Sequence, residues 1–516
     1  MPENPGTTTS RLPWKPIILA LSIFVMMGAG VIFELLIAGY ASYLQGDSIY
    51  HFSFVIGLFM SAMGVGTYLT QFIRKNLLVW LVGSQLVLAL LGGSTVFVLG
   101  LAAIYSASFH LIAHIWTGVL GLLIGLQLPL VVRILEKEWS LPRLLAHIFL
   151  IDYVGALGGS LLLSWSLLPA LGFAKTAQAT GMLCLGSAFL LSLSHLKQSR
   201  LLQAELLICM LLGALCFSLW GKDERYIEQL TLRTLPQAKL VYSKRSRYQE
   251  IRFVRYKGHH FLTLNRQPQF STQDEHRYHE ALVHPAMSLA PSRKRVLILG
   301  GGDGLALREI WRYPDVREVV MVDLDPEMTR FGLEHPIMRK YNQDAMRIGR
   351  QKGSKRALHI LNLDAWKYIY DHKKTFDVIL SDLPDATNIS LSKLYSVEFY
   401  RLLRKRLANK GVMAIQATSI SPGRRKAFWC IHNTIQHARF HTLGYHVWVP
   451  SFGQHTTFVL ASKNPLRPQE IRFKIPTRYI SEALLPSLFW FPKDIAPLAT
   501  KINRIDTHIL LRYLLR

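Results

Sequence analysis

Cysteine is scarce. The 516 residues include four, Cys184, Cys209, Cys216 and Cys430. Their spacing makes neither a disulfide framework nor a metal-ligand pattern, and three lie in apolar runs, where a free cysteine acts as a small core hydrophobe. Acid is short too: 33 Asp and Glu stand against 59 Lys and Arg, for a formal net charge of +26. That balance suits nucleic acid or an anionic membrane surface. The chain has no zinc-finger spacing and no aromatic-studded RNA-binding strand, so the membrane surface is the better reading and no nucleic-acid partner is expected. What the chain does have is apolar sequence, 50% of residues. It is unevenly spread: the first 220 residues hold most apolar runs and the remainder most of the charge. The length exceeds one ordinary domain, and the shift divides it into 1–221, 222–295 and 296–516.

The first part predicts an all-α transmembrane bundle. Seven apolar spans, about 16–43, 50–73, 77–104, 109–134, 144–168, 171–195 and 201–220, each approach the roughly 20 residues a bilayer core requires. The first is too long for a cleavable signal peptide and lacks a cleavage site. Small residues recur in the spans (Gly28/Gly30, Gly64/Gly66, Gly121/Gly125, Gly155/Gly158/Gly159), which lets membrane helices approach closely. Glu34 and Asp152 are ionisable groups inside spans, hence candidates for function or for structural anchoring. Arg11/Lys15, Arg74/Lys75, Arg133/Lys137/Arg143 and Lys197/Arg200 fall on alternate ends, which predicts a cytoplasmic N-terminus. Seven spans would then put the C-terminal part outside.

The second part begins with alternating segments, Lys239–Tyr242, Glu250–Tyr256 and His260–Leu264, that predict small antiparallel strands. A polar helix, Thr272–Leu289, follows. From 296 onward strands at 296–299, 319–322, 358–361, 376–380 and 411–416 alternate with helices, the pattern of a Rossmann-like doubly wound α/β domain. Residues 464–516 are mixed and are expected to pack on that domain.

Its centre is Val296-Leu-Ile-Leu-Gly-Gly-Gly-Asp-Gly304, a strand that stops at a glycine turn before a helix, as in a nucleotide site. The next strand ends at Asp323, where an acid usually holds a ribose diol. Asp303 departs from a dinucleotide loop, because a carboxylate there would repel a pyrophosphate. It suits a ligand with a cationic tail and no phosphate. Asp364 and the Asp382/Asp385 pair follow later strands. At the carboxyl ends of an open sheet these five acids are expected to converge. With no His/Cys cluster beside them, organic amines are the better ligand reading than metal ions.

These motifs resemble the spermidine synthase (polyamine aminopropyltransferase) family, in particular its membrane-anchored bacterial members. The resemblance covers about 240–516. It rests on Ser246-Arg-Tyr-Gln249, Tyr278-His-Glu280, Leu282-Val-His-Pro285, Gly300–Gly304, Val322-Asp-Leu-Asp325, Asp364-Ala365, Asp382-x-x-Asp385, Leu394–Tyr400 and Gln416-Ala-Thr418. Gly28–Gly30 before Phe33-Glu34-Leu35 also looks like the membrane part of those proteins. The resemblance implies a fold like that of class I methyltransferases. It implies transfer of the aminopropyl group of decarboxylated S-adenosylmethionine to a diamine, with release of methylthioadenosine. That donor is a co-substrate, and no other cofactor or metal is implied. By matched position, Gln249, His279, Asp303, Asp323 and Asp364 are donor-binding, Asp382 is the catalytic base, and Tyr278, Asp385 and Gln416 hold the acceptor. Two segments depart from the family: Leu264-Asn265-Arg266 replaces a Leu-Asp-Gly, and Val449-Pro450-Ser451 replaces a Tyr-Pro-Ser that supplies an acceptor-site hydroxyl.

Two alternatives accompany this reading. A methyltransferase on the same fold would have to accept a donor carboxylate that Asp303 repels. A polyamine transport or sensing protein would use the α/β domain as a binding module. The expected partners are a small diamine, the nucleotide sulfonium, the bilayer and, as a homo-oligomer, further copies of the chain. The substrates are cytosolic, which favours a cytoplasm-facing catalytic domain over the outside placement. One missed or false span would reverse the parity and leave the acids untouched.

Overall fold

The computed structural model describes residues 14–514 apart from 46–47, 106–107, 137–139, 196–198, 219, 221, 223–237, 266 and 351–353. Arg11, Lys137 and Lys197 of the basic pattern, Arg266 and most of the linker after 221 lie outside them. The chain forms two compact units, Met1–Pro236 and Gln237–Arg516.

The first unit is helical. Long apolar runs satisfy their peptide groups locally, giving α1 (Trp14–Gln45), α2 (Ser48–Leu69), α3 (Leu77–Tyr105), α4 (Phe109–Leu135), α5 (Leu141–Leu162), α6 (Leu168–Ser194) and α7 (Arg200–Ser218). Five stretches are long and apolar enough to cross a membrane by length and composition: Lys15–Leu44, Tyr50–Phe72, Leu77–Tyr105, Phe109–Leu135 and Leu141–Ser194. The last runs through α5, a π turn at Leu163–Leu167 and α6, and the backbone breaks at Gly172 (φ +74°). Glycines seat the helices. A Cβ on Gly125 of α4 would lie 2.1 Å from the Met63 carbonyl oxygen of α2, and one on Gly159 of α5 would lie 2.4 Å from that of Gly28 on α1.

The second unit opens with a four-stranded antiparallel sheet, β1 (Lys239–Arg245), β2 (Glu250–Tyr256), β3 (His259–Leu264) and β4 (Gln267–Ser271), then α8 (Glu275–Leu289). The α/β part follows: β5 (Arg295–Gly300), α9 (Leu305–Ile310), β6 (Glu318–Asp323), α10 (Pro326–Glu334), α11 (Pro336–Tyr341), β7 (Ala357–Asn362), α12 (Ala365–Asp371), β8 (Phe376–Asp382), α13 (Val397–Arg406), β9 (Leu407–Ile420), α14 (Arg425–His437), β10 (His441–Val449) and β11 (Gln454–Ser462). Strand order is β10-β11-β9-β8-β5-β6-β7. The five strands β5 to β9 pair in parallel, while β11 runs antiparallel to both β9 and β10. The sheet is therefore mixed. The β10–β11 hairpin is not expected from the sequence, nor is β4, whose Pro268 argues against a strand.

The parallel strands are buried on both faces, as their Val/Ile/Leu runs require. Ile298 and Met321 belong to the core on one side, and Leu299 and Val322 to that on the other. The small sheet is not a free-standing domain. Ile251, Phe253, Leu262 and Phe270 share a core with Leu305 of α9, Met328 and Phe331 of α10, and Met338 of α11. The C-terminal stretch packs onto α8, where the buried Glu280 carboxylate accepts from the backbone N–H groups of Arg478, Tyr479 and Ile480 at 2.7, 2.9 and 3.0 Å. Strand β5 lies between β6 and β8. The chain order reverses there, and such a switch point opens a crevice beyond the carboxyl ends of the strands.

Candidate active site

The glycine turn fills the end of β5. Gly300, at φ +87°, pairs with Asp382 across the β5–β8 ladder. A Cβ there would sit 2.0 Å from the Asp382 carbonyl oxygen, so only glycine fits. Gly304 (φ +82°) then caps α9. The Asp303 carboxylate accepts from the Leu305 N–H at 2.8 Å, and Asn342 donates to the Asp303 carbonyl at 2.9 Å. Asp323 pins the turn from the next strand, accepting from the Gly302 N–H at 3.0 Å and from the Asp325 N–H at 2.9 Å.

Three acids affect one another. Burial pushes the Asp303 carboxyl up to about 6, with the Asp382 charge adding to the rise and His279 opposing it. Burial also drives Asp323 up to about 7, reinforced by Asp325 and Asp303 against the two N–H donors. Asp382 is raised by burial, offset in part by His279 and Tyr278. The Tyr278 hydroxyl donates to Asp382 at 2.5 Å. Ionising such a cluster is unfavourable in a poorly solvated crevice, and an organic cation there would favour the ionised forms.

The other two acids already have protein cations. Asp364 caps α12, accepting from the Lys367 N–H at 3.2 Å, and pairs with Lys393 at 2.8 Å. It is partly desolvated, yet Lys393 and the N–H donors hold its carboxyl below the usual range. Asp385 accepts from Gln416 at 3.1 Å, Thr418 at 2.9 Å and Arg424 at 3.1 Å. Lys393 and Arg424 come from elsewhere in the chain and no local pattern announces them.

The remaining candidates are held by groups to which the sequence pattern assigns no role. Gln249 donates to Asp325 at 2.9 Å and Ser246 does so at 2.7 Å, so Asp325, the cap of α10, ties the turn between β1 and β2 to the nucleotide strand. The motifs Ser246–Gln249 and Val322–Asp325 are both visible in the sequence, but their pairing is not. Tyr395 bonds to the Leu383 and Pro384 carbonyls and to Gln416, at 3.0, 3.0 and 3.1 Å, and so fixes the Asp382–Asp385 loop. Ser451 donates its hydroxyl to Asp274 at 2.7 Å, seating the departed Val449–Ser451 segment at the start of α8.

His279 belongs to a buried charge network. Glu275 accepts from it at 2.9 Å and from Arg308 at 2.9 and 3.0 Å, while Arg308 and Arg312 reach Glu309, which also meets His284 at 3.1 Å. Burial alone would raise Glu275, but His279 and Arg308 hold it down to about 2. Burial alone would lower His279, yet Glu275, with Asp303 and Asp382, raises it. The Glu275, Asp303 and Asp382 carboxylates thus favour the protonated form of this buried imidazole. Among the described residues no group of three or more His, Cys, Asp or Glu is placed to hold a metal ion.

In the helical unit, Glu34 on α1 and Asp152 on α5 are half-buried. Glu205 on α7, not singled out by the sequence, is buried with one carboxylate oxygen lacking a hydrogen-bond partner. Gln85 and Gln127 join Ser22, Ser84 and Ser187 in a closed network across four helices.

Fold and crevice together define a class: a nucleoside-binding α/β domain built for a cationic ligand instead of a pyrophosphate. Residues 275–473 match the spermine/spermidine synthase domain. The polyamine aminopropyltransferase of Leptospira interrogans is 36% identical over 96% of this chain and 97% of its own. Polyamine aminopropyltransferase 1 of Ralstonia nicotianae is 36% identical over 99% and 98%. The crystal structure of spermidine synthase from Thermotoga maritima aligns with 50% of this chain and 87% of its own, at 23% identity and a TM-score of 0.42, too low to add to the assignment. The chain belongs to the polyamine aminopropyltransferase family.

Proposed function

We infer that this protein is an aminopropyltransferase that moves the aminopropyl group of decarboxylated S-adenosylmethionine to a diamine such as putrescine and releases methylthioadenosine. The donor is a co-substrate; no metal or further cofactor takes part. The observation that carries the site reading is the Tyr278–Asp382 hydrogen bond at 2.5 Å, on the strand paired with the glycine turn.

In the proposed mechanism Asp323 accepts from the ribose hydroxyls, Asp364 faces the adenine amino group, and Gln249 and Asp303 meet the aminopropyl end near the sulfonium. The acceptor arrives as an ammonium, which in water gives up its proton only at about pH 10, and it cannot attack in that form. Asp382 holds it and takes a proton. Burial makes this carboxylate a stronger base than one in water. The nitrogen lone pair then forms the N–C bond as the C–S bond breaks. Its electrons stay on sulfur, which leaves as a neutral thioether. Little activation is needed, and catalysis is mostly alignment. Tyr278, Asp385 and Gln416 hold the acceptor, and His279 balances the negative charge around the transferring group. Asp303 disfavours a methyltransferase, because intact S-adenosylmethionine would bring a carboxylate beside it.

The apolar helices support a further reading: the first unit spans the cell membrane and anchors a catalytic unit that faces the cytoplasm, where a charged sulfonium nucleotide is available without crossing a bilayer. The deciding activity experiment incubates purified full-length protein with decarboxylated donor and a panel of diamines and looks for methylthioadenosine by mass. Absence of product with every amine overturns the reading. Single cysteines near Lys222 and Arg74, in a cysteine-free background, address topology. Labelling at 222 but not at 74 by an impermeant thiol reagent on intact cells overturns the cytoplasmic placement.

A further inference from the structure

The far end of the proposed acceptor site carries a cation of its own. The Asp385 carboxylate uses one oxygen for Gln416 and the other for Thr418 and Arg424. Two observations set this arrangement apart from ordinary loop packing. Thr418 sits at φ +66°, a strained region for a β-branched residue, with its hydroxyl directed at Asp385. Arg424 lies at the end of the turn between β9 and α14, and 43% of its side chain is exposed. Among the described residues it makes no other ion pair. A half-exposed guanidinium with one ionic partner leaves it at small cost, since solvent screens such pairs.

On the aminopropyltransferase reading, on which this inference rests, a diamine places its attacking amine at Asp382 and its far ammonium at Asp385. One carboxylate cannot fully neutralise two cations. We propose that Arg424 is a specificity-determining residue: it competes with the far ammonium of the acceptor for Asp385 and so narrows the preference for a diamine over a monoamine of equal length. A site that lacked this arginine would hold the second ammonium through a carboxylate with no competing cation, bonded only to the neutral Gln416 and Thr418. Discrimination here comes from a group that opposes one amine and is indifferent to the other. Lys393 on Asp364 is not equivalent, because that acid faces the donor.

The test compares parent, Arg424→Gln and Arg424→Lys as full-length protein. Calorimetry on the methylthioadenosine-loaded protein measures 1,4-diaminobutane and 1-aminobutane, and methylthioadenosine release gives KM and kcat in parallel. Arg424→Gln is expected to tighten the diamine by about two- to fivefold, the scale of one exposed charge pair, and to leave the monoamine unchanged. Arg424→Lys, which keeps the charge, is expected to keep the parental ratio. An unchanged ratio in Arg424→Gln overturns the proposal, as does an equal change for both amines or a lysine variant that behaves like glutamine. Turnover with an unchanged binding ratio overturns the role of Arg424 alone. If the parent neither binds amines nor turns over, both this proposal and the enzymatic reading fall.

Discussion

Glycine is used differently in the two units. In the helical unit Gly66, Gly121, Gly125, Gly155 and Gly159 are positions where a Cβ would collide with the backbone of a neighbouring helix. Their own conformation is helical, and what matters is the missing side chain. In the α/β unit Gly300, Gly301 and Gly304 have φ of +87°, +70° and +82°, so the backbone conformation itself favours glycine, and at Gly300 a Cβ would in addition meet the Asp382 carbonyl. Buried polar groups divide the same way. The helical unit buries amides and hydroxyls in a closed network, while the α/β unit buries full charges around Glu275, Arg308 and Glu309. A neutral network can be satisfied inside one bundle. A charged one needs matched partners from several elements, and here it ends at His279, against the crevice.

If this contrast is functional, substitutions in the two units should fail differently. The largest effect is expected at Asp382. Asp382→Asn should cut turnover by about 10²–10⁴-fold, the range for a lost general base, while methylthioadenosine still binds by calorimetry. Near-parental turnover would remove Asp382 from the mechanism.

Next comes the charged network. Arg308→Met leaves Glu275 and Glu309 buried without their shared partner and should destabilise by about 3–5 kcal/mol. Gln127→Leu in the neutral network should cost only about 1–2 kcal/mol, the scale of one or two net hydrogen bonds. Unfolding of the full-length protein in detergent, followed by circular dichroism, compares them. Equal losses would break the contrast between charged and neutral interiors.

A smaller effect is expected at the helix contacts. Gly125→Ala puts a Cβ against the Met63 carbonyl and should cost about 1–3 kcal/mol through overpacking. If the units are functionally separate, kcat at low temperature stays near the parental value. A large fall in kcat with intact stability would instead couple the bundle to catalysis.

The smallest effect concerns pH. On the proposed donor-binding role, Asp303, raised to about 6, attracts the cationic donor when ionised above that pH; as pH falls through about 6 it gains a proton and the attraction is lost. Donor affinity should drop about tenfold between roughly pH 7.5 and 5, as expected for one group titrating about a unit above the lower limit. Asp303→Asn should flatten that part of the profile, whereas any Asp323 contribution should persist. The stability sign is opposite to that of a salt-bridged acid. A raised carboxyl binds its proton more tightly in the folded protein, so the contribution of Asp303 and Asp323 to ligand-free stability should fall as pH rises from about 4 toward 6–7, a fall that Asp303→Asn and Asp323→Asn should each reduce.

Much of this architecture is legible in the sequence because it depends on neighbours along the chain. Apolar length marks the helices, alternation marks β1 to β3, and a strand that stops at Gly300–Gly304 marks the nucleotide turn. Acids at successive strand ends, Asp303, Asp323 and Asp382, can be read in register because parallel strands end at the same edge of the sheet. Strands β10 and β11 are not legible as part of that pattern. Their antiparallel pairing on β9 departs from the βαβ rule, and their His- and Thr-rich sequences read poorly as buried strands.

The sequence by itself therefore determined where the apolar helices run, that an α/β domain follows them, and which acids stand at the carboxyl ends of its strands, since these depend on local composition and strand period. Only the tertiary structure decided what the carboxylates at and around those strand ends pair with. Lys393 reaches Asp364, Arg424 reaches Asp385, Gln249 reaches Asp325, and Arg308 reaches Glu275, each pair coming from separate elements. Coulomb and hydrogen-bond energies depend on distances of a few ångströms, and packing between elements sets those distances; no spacing along the chain encodes them.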